Sequence, residues 1–304
     1  MKILIVGLGS IAKKHIDAIR KTADSAEIFA LRSSDQCSSI EGVTNLFSYD
    51  DLQSFTFDFA VISNPTSEHF TALNKLLDYD IPLFIEKPLF DQTGTEQQTF
   101  LDQIKRQKTI TYVACNLRFL DCIQFIKSEI RGKRINEVNI YCGSYLPDWR
   151  PNVDFRKIYS ANREMGGGVH IDLIHELDYT FWLFGEPLTT DSFFTNNSSL
   201  DISAYDYANY RWKYDSFTAN VILNYFRRDA KRTLEIVCEE GTYQVDLLKN
   251  AVYYQNNMVF SSEERIQDTY FRQMDFFLKN ILTGKDADFN SAFDAYKILN
   301  LCLH

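Results

Sequence analysis

The stretch "KILIVGLGSIAKKHIDAIRKT", Lys2 to Thr22, constrains the chain more than any other. Lys2 to Gly7 is a short, continuous, β-branched run that ends at a glycine, the pattern of a parallel strand buried on both faces. Beyond it Ile11, Ala12, His15, Ile16 and Ile19 recur at helical spacing, and "EIFALR", Glu27 to Arg32, returns to a strand pattern. A strand, a glycine turn, a helix and a second strand within about thirty residues form a βαβ unit. Further strands are expected in "FDFAVIS" (57–63), "PLFIEKP" (82–88) and "ITYVAC" (110–115), with helical patterns over 68–78 and 95–108 between them. Alternation of this kind predicts a doubly wound α/β domain closing near Arg118.

The rhythm then changes. Helical stretches at about 121–131 and 169–184 are followed by strand patterns from Thr190 to Met258, with "EEGTY" as a hairpin turn. The expected architecture is therefore a Rossmann-type domain over 1–118 and, over 119–304, an α+β domain with an open, mainly antiparallel sheet. Lys2 followed by an apolar run resembles a signal peptide, but no cleavage pattern follows and Lys13, Lys14 and His15 interrupt it, so a cytoplasmic protein is expected. The net charge of −9 argues against nucleic acid and anionic membrane surfaces as partners and favours a small molecule. Six cysteines, Cys37, Cys115, Cys122, Cys142, Cys238 and Cys302, show neither CxxC pairs nor metal-ligand spacing, and read as buried packing thiols.

The glycine turn also carries chemistry. In "GLGSIA", Gly7 permits the tight turn, Gly9 lets backbone approach a pyrophosphate, and Ala12 keeps strand and helix close, while the amides from Ser10 and Ile11 onward face the phosphates. A site for NAD would place a carboxylate at the end of the second strand. Here Arg32, Ser33 and Ser34 stand there, a guanidinium and two hydroxyls suited to a 2′-phosphate, which favours NADP. "NPTSEHF" (64–70) and "EKPLF" (86–90) each follow a parallel strand at the sheet edge where ligands bind in open α/β folds.

Together "GLGSIA", "NPTSEH", "EKP", "NLRF" (116–119) and "GGG" followed by Asp and His resemble the glucose-fructose oxidoreductase, inositol dehydrogenase and rhizopine-catabolism family (Gfo/Idh/MocA), in the family's order. The resemblance implies hydride transfer between NAD or NADP and a carbon of a sugar, nucleotide sugar or cyclitol. It implies Lys87, Asp172 and His175 as the catalytic group, with Asn64, Pro65, Thr66, His69, Glu86, Lys87 and Asn116 beside the cofactor. It also implies a cis bond before Pro88 and a homodimer or homotetramer. Many members separate the Asp and His by four positions, whereas here the spacing is three. The form "DLIHELDY", with "GSYLPDWRP" (143–151), resembles a subgroup associated with bacterial surface-sugar clusters.

"GGGVHIDLIHELDY" (166–179) sets Asp172, His175, Glu176 and Asp178 within seven residues. On one continuous helix, 172, 175, 176 and 179 would form a polar face toward a cleft while Leu173, Leu177, Phe181 and Phe184 face the core, and the glycines would admit cofactor and substrate. Histidine, with an unperturbed pKa near 6.5, can relay a proton at neutral pH, and Asp172 can orient it or hold a substrate hydroxyl. His170 reads as structural. Arg118 and the stretch carrying Tyr145, Trp149, Arg150, Arg156 and Tyr159 are candidates to bind a hydroxylated, anionic substrate, alongside Lys87, Asp172 and His175. Two alternatives stay open: a non-catalytic NAD(P)-binding sensor or scaffold, and an imine or enamine reductase.

Overall fold

A computed structural model describes residues 1–34 and 39–304. The reading of Cys37 lies outside the described residues; the other five cysteines are free and buried. Contacts divide the chain into two compact units, Met1–Cys115 with Tyr270–Leu299, and Asn116–Thr269 with Asn300–His304. The division at residue 118 is a single cut, whereas the units require the chain to return to the first after completing most of the second.

The first unit is built on β1 (Lys2–Val6), α1 (Ser10–Thr22), β2 (Glu27–Leu31), β3 (Val43–Leu46), β4 (Phe59–Ile62), α2 (His69–Leu76), β5 (Leu83–Glu86), α3 (Thr95–Gln107) and β6 (Thr111–Ala114). All pairings are parallel, in the order β3-β2-β1-β4-β5-β6, so the order reverses at β1, beside β4. That reversal opens a crevice at the carboxyl ends of β1 and β4. Ile3, Leu4, Ile5, Ala60, Val61 and Ile62 are all fully buried, as both-face coverage of a parallel sheet requires. The returning segment belongs here because Phe277 packs its ring against Phe84 at 5.2 Å and Phe59 at 5.1 Å. Each such fully buried ring contributes about 1.5–3 kcal/mol.

The second unit holds α4 (Asp121–Glu129), β7 (Ile135–Tyr145), α5 (Val169–Asp172), α6 (His175–Phe184), β8 (Thr189–Thr195), β9 (Tyr207–Lys213), β10 (Thr218–Asn224), β11 (Phe226–Cys238), β12 (Gly241–Asp246), β13 (Ala251–Tyr254) and β14 (Asn257–Ser261). The last helices, α7 (Thr269–Phe276) and α8 (Ala292–Leu303), lie mostly in the segment that returns to the first unit. The eight strands run β14-β13-β12-β11-β7-β10-β9-β8, antiparallel except for β7 with β10. β7, which the sequence reading passed over, sits between β10 and β11 near the centre of the sheet. Its alternation buries Val138, Ile140 and Cys142 on the face covered by helices, together with Tyr210, Trp212, Val221 and Leu234. The opposite face carries the half-exposed Asn139, Tyr141, Asn209 and Asn220. No helix among the described residues is long and apolar enough to cross a membrane.

Candidate active site

On the first unit the glycine turn divides into two tasks. Gly7 has φ +82°, and a Cβ there would lie 2.6 Å from Asn64 Cα, so the turn after β1 closes directly on the loop after β4. Gly9 is the N-cap of α1; no side chain caps it, the first turn contains no acid, and an added Cβ would meet nothing within 4 Å among the described residues. Ala12 is fully buried beneath this turn. An uncapped helix start with open space over the glycine is an anion cradle, since the first amides of a helix lack partners and carry a partial positive charge. Beside it the Asn64 Oδ1 is buried without a hydrogen-bond partner among the described residues. A dinucleotide would supply what both lack, phosphate for the amides and a hydroxyl or amide donor for Asn64, so the residues fit the cofactor that the fold implies.

The neighbouring candidates fall into two groups. Ser10, Pro65 and Ser33 are exposed, and Ile11, Thr66, Ser34 and Lys87 half-exposed, around the carboxyl ends of β1, β2, β4 and β5. Arg32 is 9% exposed, and its Nη1 donates to Asn45 Oδ1 at 3.3 Å. Two of the residues expected beside the cofactor also hold the loops. The buried His69 ring places Nδ1 3.1 Å from the Pro88 carbonyl and Nε2 3.1 Å from that of Asn64, and burial lowers its pKa. Glu86 meets the buried His15 Nε2 at 2.5 Å and accepts from the Lys87 amide at 3.2 Å, tying α1 to the end of β5. His15 recurs on the apolar stripe of α1, the one sequence hint that its ring points inward. The Lys87–Pro88 bond is cis, as the resemblance implies.

On the second unit the expected helix over 169–184 is two helices, because Leu173 leaves helical geometry at φ −100°, ψ 29°. Asp172 ends α5 and His175 begins α6, so their spacing of three spans the break between the two helices. The polar face expected for this helix is therefore corrected. Glu176 is fully buried and bound bidentately by Arg232, at 2.6 and 3.1 Å, while Tyr179 is also fully buried, so both look into the unit rather than toward a cleft. A carboxylate without water requires such a partner. Two of the glycines accommodate the chain itself: Cβ atoms at Gly167 and Gly168 would strike the Tyr159 carbonyl at 2.0 Å and the His170 ring at 2.6 Å, while one at Gly166 would meet nothing within 4 Å among the described residues. His170 is buried against Phe194 and Tyr205, and burial lowers its pKa to about 4.

Asp172 is half-buried, and its two carboxylate oxygens accept from different phenols, Oδ1 from Tyr159 and Oδ2 from Tyr225. Burial, then the charge of Asp172, raises the pKa of both tyrosines, so they remain donors. The Trp149 ring stands edge-on to Tyr225 at 5.3 Å, with its indole NH on Ser144 Oγ at 2.9 Å. Arg150 is close enough to oppose the rise at Tyr159. Trp149, Arg150, Tyr159 and Asp172 thus come together, joined by Tyr225, which no local pattern announced. The other candidates make contacts elsewhere in the unit. Tyr145 lies with its pairing partner Phe226 on the opposite face of the sheet and takes Arg228 on its phenol at 3.0 Å. Arg156 reaches the Leu200 carbonyl at 3.4 Å. Arg118 is buried and binds Asp178 through two bonds of 2.9 and 2.8 Å, and the buried Asn116 amide donates to Thr269 Oγ1 at 2.7 Å. Both are struts of the second unit.

Comparison with known proteins follows the same division. The family model described as an oxidoreductase family with an NAD-binding Rossmann fold matches residues 1–115, and the Gfo/Idh/MocA C-terminal domain matches residues 123–244. An inositol 2-dehydrogenase/D-chiro-inositol 3-dehydrogenase of Lacticaseibacillus casei is 23% identical over 198 residues, 62% of this chain and 55% of that protein. The match thus spans little more than half the length of that relative. A UDP-N-acetylglucosamine 3-dehydrogenase from Acidithiobacillus ferrooxidans superposes with a TM-score of 0.78 at 19% identity, covering 100% of this chain and 95% of its own. A dehydrogenase from Bordetella pertussis, solved with NADH and UDP-GlcNAcA, superposes with a TM-score of 0.81 at 16% identity, covering 100% and 93%. The two domain matches, on the two units whose sites have just been described, establish that the chain belongs to the Gfo/Idh/MocA family.

Proposed function

We propose that the protein is an NAD(P)-dependent oxidoreductase acting on a CH–OH carbon of a sugar, nucleotide sugar or cyclitol. The observation that carries this reading is the uncapped start of α1 beneath Gly9, with the Asn64 Oδ1, unpartnered among the described residues, beside it. The names of the similar proteins, which act on inositols and on UDP-N-acetylglucosamine, support a sugar-like substrate. When bound, the nicotinamide supplies or accepts the hydride at its C4. The chain supplies the rest. The α1 amides hold the pyrophosphate, Lys87 with His175 takes or returns the hydroxyl proton, and Asp172 positions the acid–base group. Trp149, Arg150 and Tyr159 flank that carboxylate and favour a ring with hydroxyl and anionic groups.

Arg32, Ser33 and Ser34 at the end of β2 support NADP over NAD. The half-open sheet of the second unit, where Phe193 is 61% exposed, supports a homodimer or homotetramer. The reading takes 1–118 as the cofactor domain, 119–304 as the substrate and oligomerisation domain, and the cytoplasm as the location. A panel of sugars, nucleotide sugars and inositols, assayed with NADP and NAD through the absorbance of reduced nicotinamide, tests it. Turnover with at least one substrate is expected, with tighter binding of NADP. Cofactor binding without turnover on the whole panel favours the sensor, and stronger binding of NAD removes the assignment to Arg32.

A further inference from the structure

The geometry points to Tyr225 as a positioning residue that holds the Asp172 carboxylate in place, an inference that rests on the oxidoreductase reading above. Asp172 is the last residue of α5, a helix of four residues, and is half-buried, so its own backbone element does little to fix the carboxylate. Two torsions separate the oxygens from the main chain. Something outside the helix must set their direction.

Tyr225 is fully buried and pinned at both ends of its residue. Its backbone amide donates to the Asp206 carbonyl at 3.0 Å, and its carbonyl accepts from the Leu146 amide at 2.8 Å. It occupies the single position between β10 and β11, so both strands fix its backbone. The edge contact with Trp149 limits rotation of the ring. With the ring so held, the phenol proton is directed to Asp172 Oδ2. Tyr159 holds the other oxygen from a short 3₁₀ turn and is only half-buried, so Tyr225 is the fixed member of the pair and Tyr159 the adjustable one.

The consequence is chemical. A carboxylate has about four lone-pair directions, and two permanent phenol donors occupy two of them in fixed orientation. Asp172 then acts as an oriented acceptor for a substrate hydroxyl or an imidazole rather than as the carrier of the transferred proton, which leaves that task to Lys87 and His175. Tyr225 also links this carboxylate to the Trp149 ring, so the group that aligns the reacting hydroxyl and the aromatic surface for a sugar ring share one rigid support.

Tyr225→Phe keeps the ring and its contact with Trp149 but removes the donor. A hydrogen bond to a charged group that matters in the transition state predicts a fall in kcat of about tenfold to a hundredfold, with KM for the sugar and affinity for the cofactor changed by less than about twofold. In an Asp172→Asn background the same change adds less than about a further twofold, because the group it positions is gone. A loss expressed in KM alone, or an equal loss in both backgrounds, overturns the proposal. The far-downfield proton spectrum supplies a readout that needs no turnover and no change at the buried ring. A protected phenol resonance of the wild type, assigned through tyrosine labelling to Tyr225, shifts in Asp172→Asn. A resonance indifferent to Asp172→Asn overturns the proposal even if Tyr225→Phe does not fold. Failure of the wild type to turn over any sugar, with the resonance behaving as expected, removes the oxidoreductase reading and leaves the Tyr225–Asp172 bond standing.

Discussion

A methyl group added at Gly9 and one added at Gly7 should separate binding from folding. Gly9 has φ −82° and ψ −169°, extended values open to any residue, and a Cβ there meets nothing within 4 Å among the described residues. Alanine is a poorer N-cap than glycine, but it also restricts the unfolded chain by about 0.4–1 kcal/mol, so Gly9→Ala should change stability by less than about 1 kcal/mol. The same Cβ would project over the uncapped amides of α1, where the pyrophosphate is assigned. Displacing it by part of a van der Waals contact should weaken NADP by roughly tenfold to a hundredfold, or about 1.4–2.7 kcal/mol. Gly7→Ala behaves in the opposite way. At φ +82° a left-handed alanine costs about 1–2 kcal/mol, and a Cβ 2.6 Å from Asn64 Cα must push backbone aside for another roughly 1–3 kcal/mol. The expected loss is about 2–5 kcal/mol, visible as a lower urea midpoint. Titration of NADP by fluorescence, with urea unfolding of the same samples, measures both quantities. If Gly9→Ala bound NADP as tightly as the wild type, the cradle would not be where the phosphates sit and the reasoning from the uncapped helix would fail.

Lys87→Ala should lose about 100-fold to 10,000-fold in kcat, roughly 3–5 kcal/mol of transition-state stabilisation, while cofactor affinity survives because the pyrophosphate is assigned to backbone; joint loss of binding and turnover would reassign Lys87 to the cofactor. Glu176→Ala should cost about 3–5 kcal/mol by leaving the Arg232 guanidinium poorly paired, and a change below about 1 kcal/mol in urea unfolding would show that water already satisfies it. His170, held neutral with a pKa of about 4 by burial, takes up a proton near pH 6.5 only when unfolded, so its contribution is complete above about pH 6.5 and is lost as pH falls toward 4. Between pH 8 and 5 the wild type should lose about 2 kcal/mol more stability than His170→Phe, and parallel melting curves for the two would contradict the linkage.

What could be read in the sequence is what adjacent residues decide. The run from Lys2 to Thr22 contains its own strand period, turn glycines and helix period, so β1, Gly7, Gly9 and α1 are legible without any distant partner. The loops after β4 and β5, with Asn64 and Lys87, follow from the same local alternation. Tertiary structure decided the matters in which both members of a pair must be known. β7 is a strand because β10 and β11 flank it, and the period-2 alternation of that strand sends Tyr145 to the face opposite Ser144 and Trp149. A helical wheel drawn through Asp172 and Glu176 could not register the break at Leu173 or the buried Arg232 that draws Glu176 inward. Tyr225 lies 53 residues from Asp172, and nothing in its immediate neighbours reports that its hydroxyl ends there. The residues able to do chemistry can be named from their types and spacing, but which of them are held, and by what, depends on contacts between chain segments that only folding brings together.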